Sequence, residues 1–451
     1  MFSTAYKRYA LAGMTAVWML NLTDRGLMIL LLQPIKEDLQ LSDTQLGFLT
    51  GIAFGLFYAT VGVPIGRWAD RGNRITITSL AIGMWGVTVM SCLFVTNYSQ
   101  LVFARVAAAV GESGCKPPTY SLVGDYFPEP AERIRAMAIY LTGGPLAALV
   151  SFLLGGWLNE LYGWRITFFL MGIPALILAV LVKWTIIEPR THATSVHVQE
   201  QPMPSMRAVL VALWGQRSCR HLCIALILLY TMGFGLAPWY AAFLMRSHGM
   251  GTRELGVWMG LIFSLGGIAG LLAGGYVASH WFTNNERSQM RMSALTVASL
   301  VPCFVSFLTL PQKYQALISL LPLIVVFNVF QGPTYTLLQR LVVDEMRATM
   351  MALVMLLVNL IGFGIGPQVV GILSDLLTPI AGSDSLRYAM LAMSFVALWS
   401  AYHFWQVGRT VREDLSMIAQ RVATNAVSIG LHEKVKLAPL SGSRYSSKRH
   451  S

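Results

Sequence analysis

The sequence predicts an all-α integral membrane protein whose twelve transmembrane helices form two six-helix bundles. Three observations carry that reading. Hydrophobic residues make up 55% of the 451-residue chain and charged residues 12%, a balance that no soluble core of this length absorbs. Apolar runs of about 20 residues, enough for a helix to cross the hydrocarbon core, recur along nearly the whole sequence. One long polar stretch then divides these runs six and six.

In chain order the spans are 9–33, 44–66, 75–95, 99–124, 136–158 and 165–187, then 219–244, 255–279, 290–310, 314–337, 349–373 and 386–407. Span four carries Arg105, Glu112 and Lys116, and span five carries Gly144-Pro145. Spans eight (Gly266, Gly267, Gly270, Gly274) and eleven (Gly362, Gly364, Gly366, Pro367) hold glycines and a proline that allow close crossings and bending. Between spans six and seven, Pro189, Pro202 and Pro204 and scattered charges mark a linker. The domains are therefore a bundle over 1–187, a cytoplasmic linker over 188–216, a second bundle over 217–410 and a tail over 411–451, expected to be mostly disordered. Within the linker, Ser205 to Trp214 fits either a short helix on the membrane surface or a plain tether.

Orientation follows from the basic residues, because positively charged loops stay cytoplasmic. With the N-terminus inside, 24 of the 33 Lys and Arg residues fall on the cytoplasmic side and 6 outside (Lys36, Arg165, Arg246, Arg253, Lys313, Arg387). Both termini are then cytoplasmic, in a multi-pass protein expected in a bacterial inner (plasma) membrane. The net charge of +12 is mostly a topology signal, so nucleic acid is not an expected partner. Cys92, Cys115 and Cys303 lie in spans, and Cys219 and Cys223 flanking His221 lack a fourth ligand, so no disulfide framework or metal site is expected. No nucleophile and base, ATPase module or phosphate loop is present, so the chain reads as no enzyme, with no catalytic residue and no cofactor.

Five ionisable residues fall inside hydrophobic stretches of the first bundle: Asp24, Arg25, Arg105, Glu112 and Lys116. A charge in the membrane costs at least ~2.5 kcal/mol, so such residues line a cavity or pair with one another. Arg105 and Glu112, seven residues apart, share a helix face, and Glu112 and Lys116 have the i to i+4 spacing of a helical ion pair. Glu112 and Asp24 are the candidate proton-coupling sites. Arg25 and Arg105, with Lys116, compete for their carboxylates and for an anionic headgroup, since a guanidinium stays charged and clamps phosphate or carboxylate with two prongs. A permanent charge network joining spans one and four is the structural alternative. In the second bundle Tyr230, Asn328, Gln331, Tyr335 and Asn359 are candidate substrate contacts on a mostly apolar wall, or amides and hydroxyls tying helices together.

Between spans two and three the chain reads Gly66-Arg67-Trp68-Ala69-Asp70-Arg71-Gly72-Asn73-Arg74. This resembles the cytoplasmic loop signature of the major facilitator superfamily, and with six plus six spans it implies that superfamily's fold and alternating access. Gly66 is expected to allow close helix approach, and Asp70 to face the positive end of a neighbouring helix. Arg71 and Arg74 are expected to reach an acid, with Asp125 the best placed. By the superfamily's pattern Gly66, Arg67, Asp70, Arg71, Arg74 and Asp125 form a cytoplasmic gate that latches the halves when the cavity faces outward. The corresponding loop after span eight has Ser279 where a second aspartate is expected.

Further fragments narrow the match. Asn21-Leu22-Thr23-Asp24-Arg25, Leu41-Ser42-Asp43-Thr44-Gln45-Leu46-Gly47, Gly111-Glu112-Ser113-Gly114-Cys115, Gly163-Trp164-Arg165 and Asn359-Leu360-Ile361-Gly362 with Gly366-Pro367 resemble Spinster-type transporters. Animal members of that family are associated with export of sphingoid phosphates and lysophospholipids. The chain departs from the pattern at Ser113 and Lys116 and has only part of the antiporter glycine pattern in span five. The resemblance implies a secondary active transporter of an amphipathic, anionic, lipid-like substrate; the buried carboxylates add the expectation of proton coupling, and a monomer amid membrane lipid is expected. A transporter of a small organic acid or drug-like compound, and a non-transporting membrane receptor, are the alternatives.

Overall fold

The computed structural model describes residues 2–192, 206–281, 285–342 and 346–428. Among the described residues, nine segments are long and apolar enough to cross a membrane by length and composition. Two of these, Pro130–Thr185 and Thr349–Ile418, run to 56 and 70 residues, room for two crossings each. Span four, in two helical pieces, completes the twelve.

Local chemistry sets the breaks. Span one, Thr4–Leu39, ends at Gln40 in the left-handed region (φ 53°). Ser42 then opens span two with a reciprocal capping box: its hydroxyl accepts from Gln45 N, and the Gln45 side chain accepts from Ser42 N. Span two is divided at Gly51 into Asp43–Thr50 and Ile52–Arg71. Gly163, at φ 78°, separates span five from span six inside one long helical segment; a side chain there would be strained.

Span four breaks just after its acid. The helix Tyr98–Ser113 stops at Gly114, and Lys116–Tyr126 begins anew with Pro117 and Pro118 in its first turn. The helical pairing expected of Glu112 and Lys116 therefore does not form. Span eleven is also interrupted, by a π-helical turn over Val358–Phe363 between Arg347–Leu357 and Gly364–Ala381. Such turns recur at functional sites.

One boundary differs from the sequence expectation. The last helix, Val396–Ser428, runs well past 410, so the first part of the tail expected to be disordered is helical; residues 429–451 lie outside the described ones. Asp414 on that extension is buried and accepts from Ser218 N at 2.6 Å, anchoring it to the start of span seven. In the linker a helix covers Met206–Gly215, while 193–205 lie outside the described residues.

The halves meet closely at the end expected to face outward. Spans two and eleven cross backbone to backbone: a Cβ on Gly51 would lie 2.4 Å from Gly364 O, one on Gly47 2.6 Å from Pro367 O, and one on Gly371 2.2 Å from Asp43 O. Only glycine allows this approach.

Candidate functional site

Four of the five membrane-embedded charges assemble into one crosswise cluster. Asp24 and Arg25 are neighbours on span one, Arg105 and Glu112 lie two turns apart on span four, and the pairs form between helices. Arg105 Nη1 donates to Asp24 Oδ2, and Arg25 Nε donates to Glu112 Oε2 at 3.3 Å. Asn21 steadies the broken helix by donating from Nδ2 to Glu112 O at 3.1 Å. Asp24, Arg105 and Glu112 are buried, whereas the Arg25 side chain is 23% exposed.

Aromatic rings frame the guanidiniums. Arg25 Cζ lies 5.1 Å from the Phe54 ring, 4.9 Å from Tyr58 and 5.1 Å from Phe363; Arg105 Cζ lies 5.1 Å from Phe54. Stacking of this kind favours arginine over lysine. Phe363 belongs to the opposite half, at the end of the π turn, so the cluster already touches both bundles. Sequence reasoning passed over these rings; the Phe54 and Tyr58 spacing of i to i+4 on span two was the available signal.

A cavity of about 290 Å³ lies against Arg25 and Arg105 and is otherwise lined mainly by apolar groups such as Met28, Phe234, Phe263 and Phe363. A second cavity, of about 500 Å³, shares Leu22, Phe234, Ala237 and Phe263 with it and reaches Tyr230, Asn328 and Gln331. Its polar groups are satisfied internally. Asn328 Nδ2 donates to Ile324 O and Gln331 Nε2 to Asn328 Oδ1, both at 2.8 Å. Tyr230 and Tyr335 share a 2.6 Å hydroxyl hydrogen bond. Asn359 donates to Met355 O on its own helix at 2.8 Å and lines neither cavity. Lys116 stands apart from the cluster, its Nζ 5.3 Å from the Trp18 ring and in no ion pair among the described residues.

The expected cytoplasmic gate is only partly assembled. Arg74, fully buried, pairs with Asp125 at 2.7 Å and also with Glu188, which accepts from Arg74 N at 2.8 Å. All three belong to the first half and its exit into the linker, so the cluster ties spans three, four and six together without bridging the halves. Arg67 and Arg71 are exposed, and among the described residues neither is ion-paired. The reach of Arg71 to an acid is therefore not seen here. Gly66 has no atom within 4 Å of a would-be Cβ, so the close approach expected of it is absent. The Asp70 side chain lies outside the described ones.

At the opposite end the halves are clamped by residues of which the sequence reading named only Lys36 and Arg246, as topology markers, and Asp43 and Thr44, in a motif fragment. Arg246, closing span seven, donates from both Nη atoms to Asp43 at 2.7 Å and from Nε to Gln33 at 2.6 Å. Ser374 adds a hydroxyl to Asp43 at 2.6 Å, and Lys36 lies 2.5 Å away. Asp375 of span eleven accepts from Asp43 N at 3.0 Å and Thr44 N at 2.7 Å, capping span two from across the interface.

Against known proteins, residues 14–367 match the family model described as Major Facilitator Superfamily. A protein of Mycolicibacterium smegmatis described as an MFS-type efflux pump is 31% identical, over 91% of this chain and 94% of its own. The chain belongs to the major facilitator superfamily. It is a transporter, not an enzyme, and a Spinster-like one: a bacterial homologue of the human lysosomal transporter Spinster, solved inward-facing and unoccupied, superposes with a TM-score of 0.80 at 25% identity over 92% of this chain and 99% of that one. Among curated relatives are spinster homolog 1 of Xenopus laevis, 23% identical over 88% of this chain and 79% of its own, and a hexuronate transporter of Bacillus subtilis, 24% identical over 84% and 90%.

Proposed function

We propose that this transporter moves an amphipathic, anionic, lipid-like substrate of lysophospholipid or sphingoid type by alternating access, coupled to protons, with both termini in the cytoplasm of a bacterial inner membrane. The observation that carries the reading is the pair of neighbouring cavities that share lining residues: guanidiniums at the wall of one, and beside it a larger chamber lined mostly by rings and aliphatic groups. A headgroup engages the exposed edge of Arg25, and a hydrocarbon chain occupies the apolar chamber.

Coupling follows from the crosswise cluster. A headgroup that draws Arg25 away from Glu112 removes the charge that keeps that carboxylate ionised, so substrate binding favours proton uptake at Glu112, with Asp24 held by Arg105. Lys116 adds positive potential on the side expected to be cytoplasmic, and Tyr230, Tyr335, Asn328 and Gln331 shape the opposite wall. Clamped by Asp43 and Arg246, the described state is the inward-facing one. In the opposite state that clamp releases, and Arg67 and Arg71 join Asp70, Arg74 and Asp125 in closing the cytoplasmic side. The halves that rock are 1–187 and 217–410, joined by 188–216; one chain supplies the whole site, as a monomer requires.

A second reading, transport of a small organic acid, is favoured by relatives named hexuronate and L-galactonate transporters. Liposome flux of a headgroup-labelled lysophospholipid, with and without a pH gradient, separates the two. The lipid reading expects gradient-driven flux that Glu112→Gln loses and that excess hexuronate leaves unchanged. Hexuronate flux without lysophospholipid flux in folded protein selects the second reading, and ligand binding without any flux points to a receptor.

A further inference from the structure

A groove of about 200 Å³ opens between the start of span one and the start of span five, at the end expected to be cytoplasmic. Lys7, Arg8 and Arg135 line it against the single carboxylate of Glu132. Among the described residues none of the three cations stands in an ion pair. The floor is apolar, made by Leu11, Phe127 and Ile139. We propose that this groove is a resident binding site for the headgroup of an anionic phospholipid of the inner leaflet, separate from the transport pathway.

The groove is built rather than incidental. Arg133 donates from Nε to Phe127 O and from Nη2 to Pro128 O, both at 3.2 Å, pinning the turn that presents the Phe127 ring. Lys7 Nζ lies 5.8 Å from that ring. A lysine and an arginine on span one meet an arginine on span five across this floor, whereas scattered cations would set the topology equally well.

Depth and surroundings point to lipid. The groove lies at the start of the expected spans one and five, the depth at which leaflet phosphates are expected. At the edge of the groove the apolar Ile139 side chain is 52% exposed towards the bilayer. An acyl chain leaving the groove has a surface to follow. Three cations against one acid favour a phosphodiester without a compensating ammonium, because a zwitterionic headgroup brings a further positive charge into an already positive groove.

The test uses the full-length protein in detergent, scoring retained lipid by native mass spectrometry and unfolding temperature by intrinsic fluorescence. The probes are phosphatidylglycerol, phosphatidylcholine and soluble glycerol phosphate. The wild type is expected to retain phosphatidylglycerol at least about tenfold better than phosphatidylcholine. Lys7→Gln/Arg8→Gln/Arg135→Gln should abolish that preference, and Glu132→Gln should increase it. Equal retention of the two lipids by the wild type overturns the proposal. So does full competition by glycerol phosphate, which marks a free-phosphate site. Should the triple variant not fold, the Glu132→Gln and Arg135→Gln variants decide it by shifting the preference in opposite directions or leaving it unmoved.

Discussion

Arg246 holds Asp43 with two hydrogen bonds of 2.7 Å, one to each carboxylate oxygen. The two residues lie on opposite halves, and this pair, with Asp375 on the amino end of span two, locks the end expected to face outward. A bidentate arginine pair that is mostly withdrawn from water is stronger than an exposed one. Arg246→Gln should therefore raise the labelling of cysteines introduced behind the clamp by several-fold from the outside. Exchange of the two residues, Asp43→Arg with Arg246→Asp, should restore part of the protection. Unchanged labelling in Arg246→Gln would show that the glycine crossing alone keeps this end closed.

The glycine crossing has its own test. Gly51→Val places a side chain against Gly364 backbone, which cannot yield, and should weaken the closed state by about 1–3 kcal/mol. Gly66→Ala meets nothing within 4 Å and should change stability by less than about 0.5 kcal/mol. Thermal unfolding and outside labelling of both variants measure the contrast; equal behaviour would refute it.

Asp24 and Arg105 should act as a structural pair. Asp24→Asn leaves the buried Arg105 guanidinium without its counter-ion, at a cost of about 3–5 kcal/mol. The double variant Asp24→Asn/Arg105→Gln should recover most of the loss. Unfolding in detergent gives the coupling energy, and additive losses would argue against the pairing.

Glu188, at the exit into the linker, supplies a pH dependence. Burial pushes its carboxyl upward, but the hydrogen bonds and charge of Arg74 outweigh that and hold it below the ordinary carboxylate range. A depressed carboxyl adds stability above its unfolded pKa, about 4.3, and loses it as pH falls through the lower folded value. Glu188→Gln should be less stable than wild type at pH 7, and the difference should shrink below about pH 4. A pH-independent gap between the two unfolding curves would count against this assignment.

Much of the architecture was legible in the chain because its causes are local. Apolar runs gave the twelve spans, the polar stretch after Glu188 divided them, and a charge in lipid is costly enough that Asp24, Arg25, Arg105 and Glu112 had to find each other. Gly163 falls between the spans expected, but the break at Gly114 before Pro117 and Pro118 went unread, since span four was expected to run unbroken from 99 to 124. Helix rotation and the approach of the halves were not legible, since both depend on packing between residues hundreds of positions apart.

The sequence by itself determined the membrane class, the number of spans and which charges fall inside hydrophobic stretches, because each follows from the transfer of side chains between water and hydrocarbon. Only the tertiary structure decided that Arg25 takes Glu112 while Arg105 takes Asp24, that Lys116 is left out when its helix breaks, and that Phe363 reaches the cluster from the other half. It also turned Asp43, Arg246 and Asp375 from end-of-span charges into a clamp. Pairing of this kind depends on distances of 2.5–3.3 Å between side chains on different helices, which no pattern along one helix encodes.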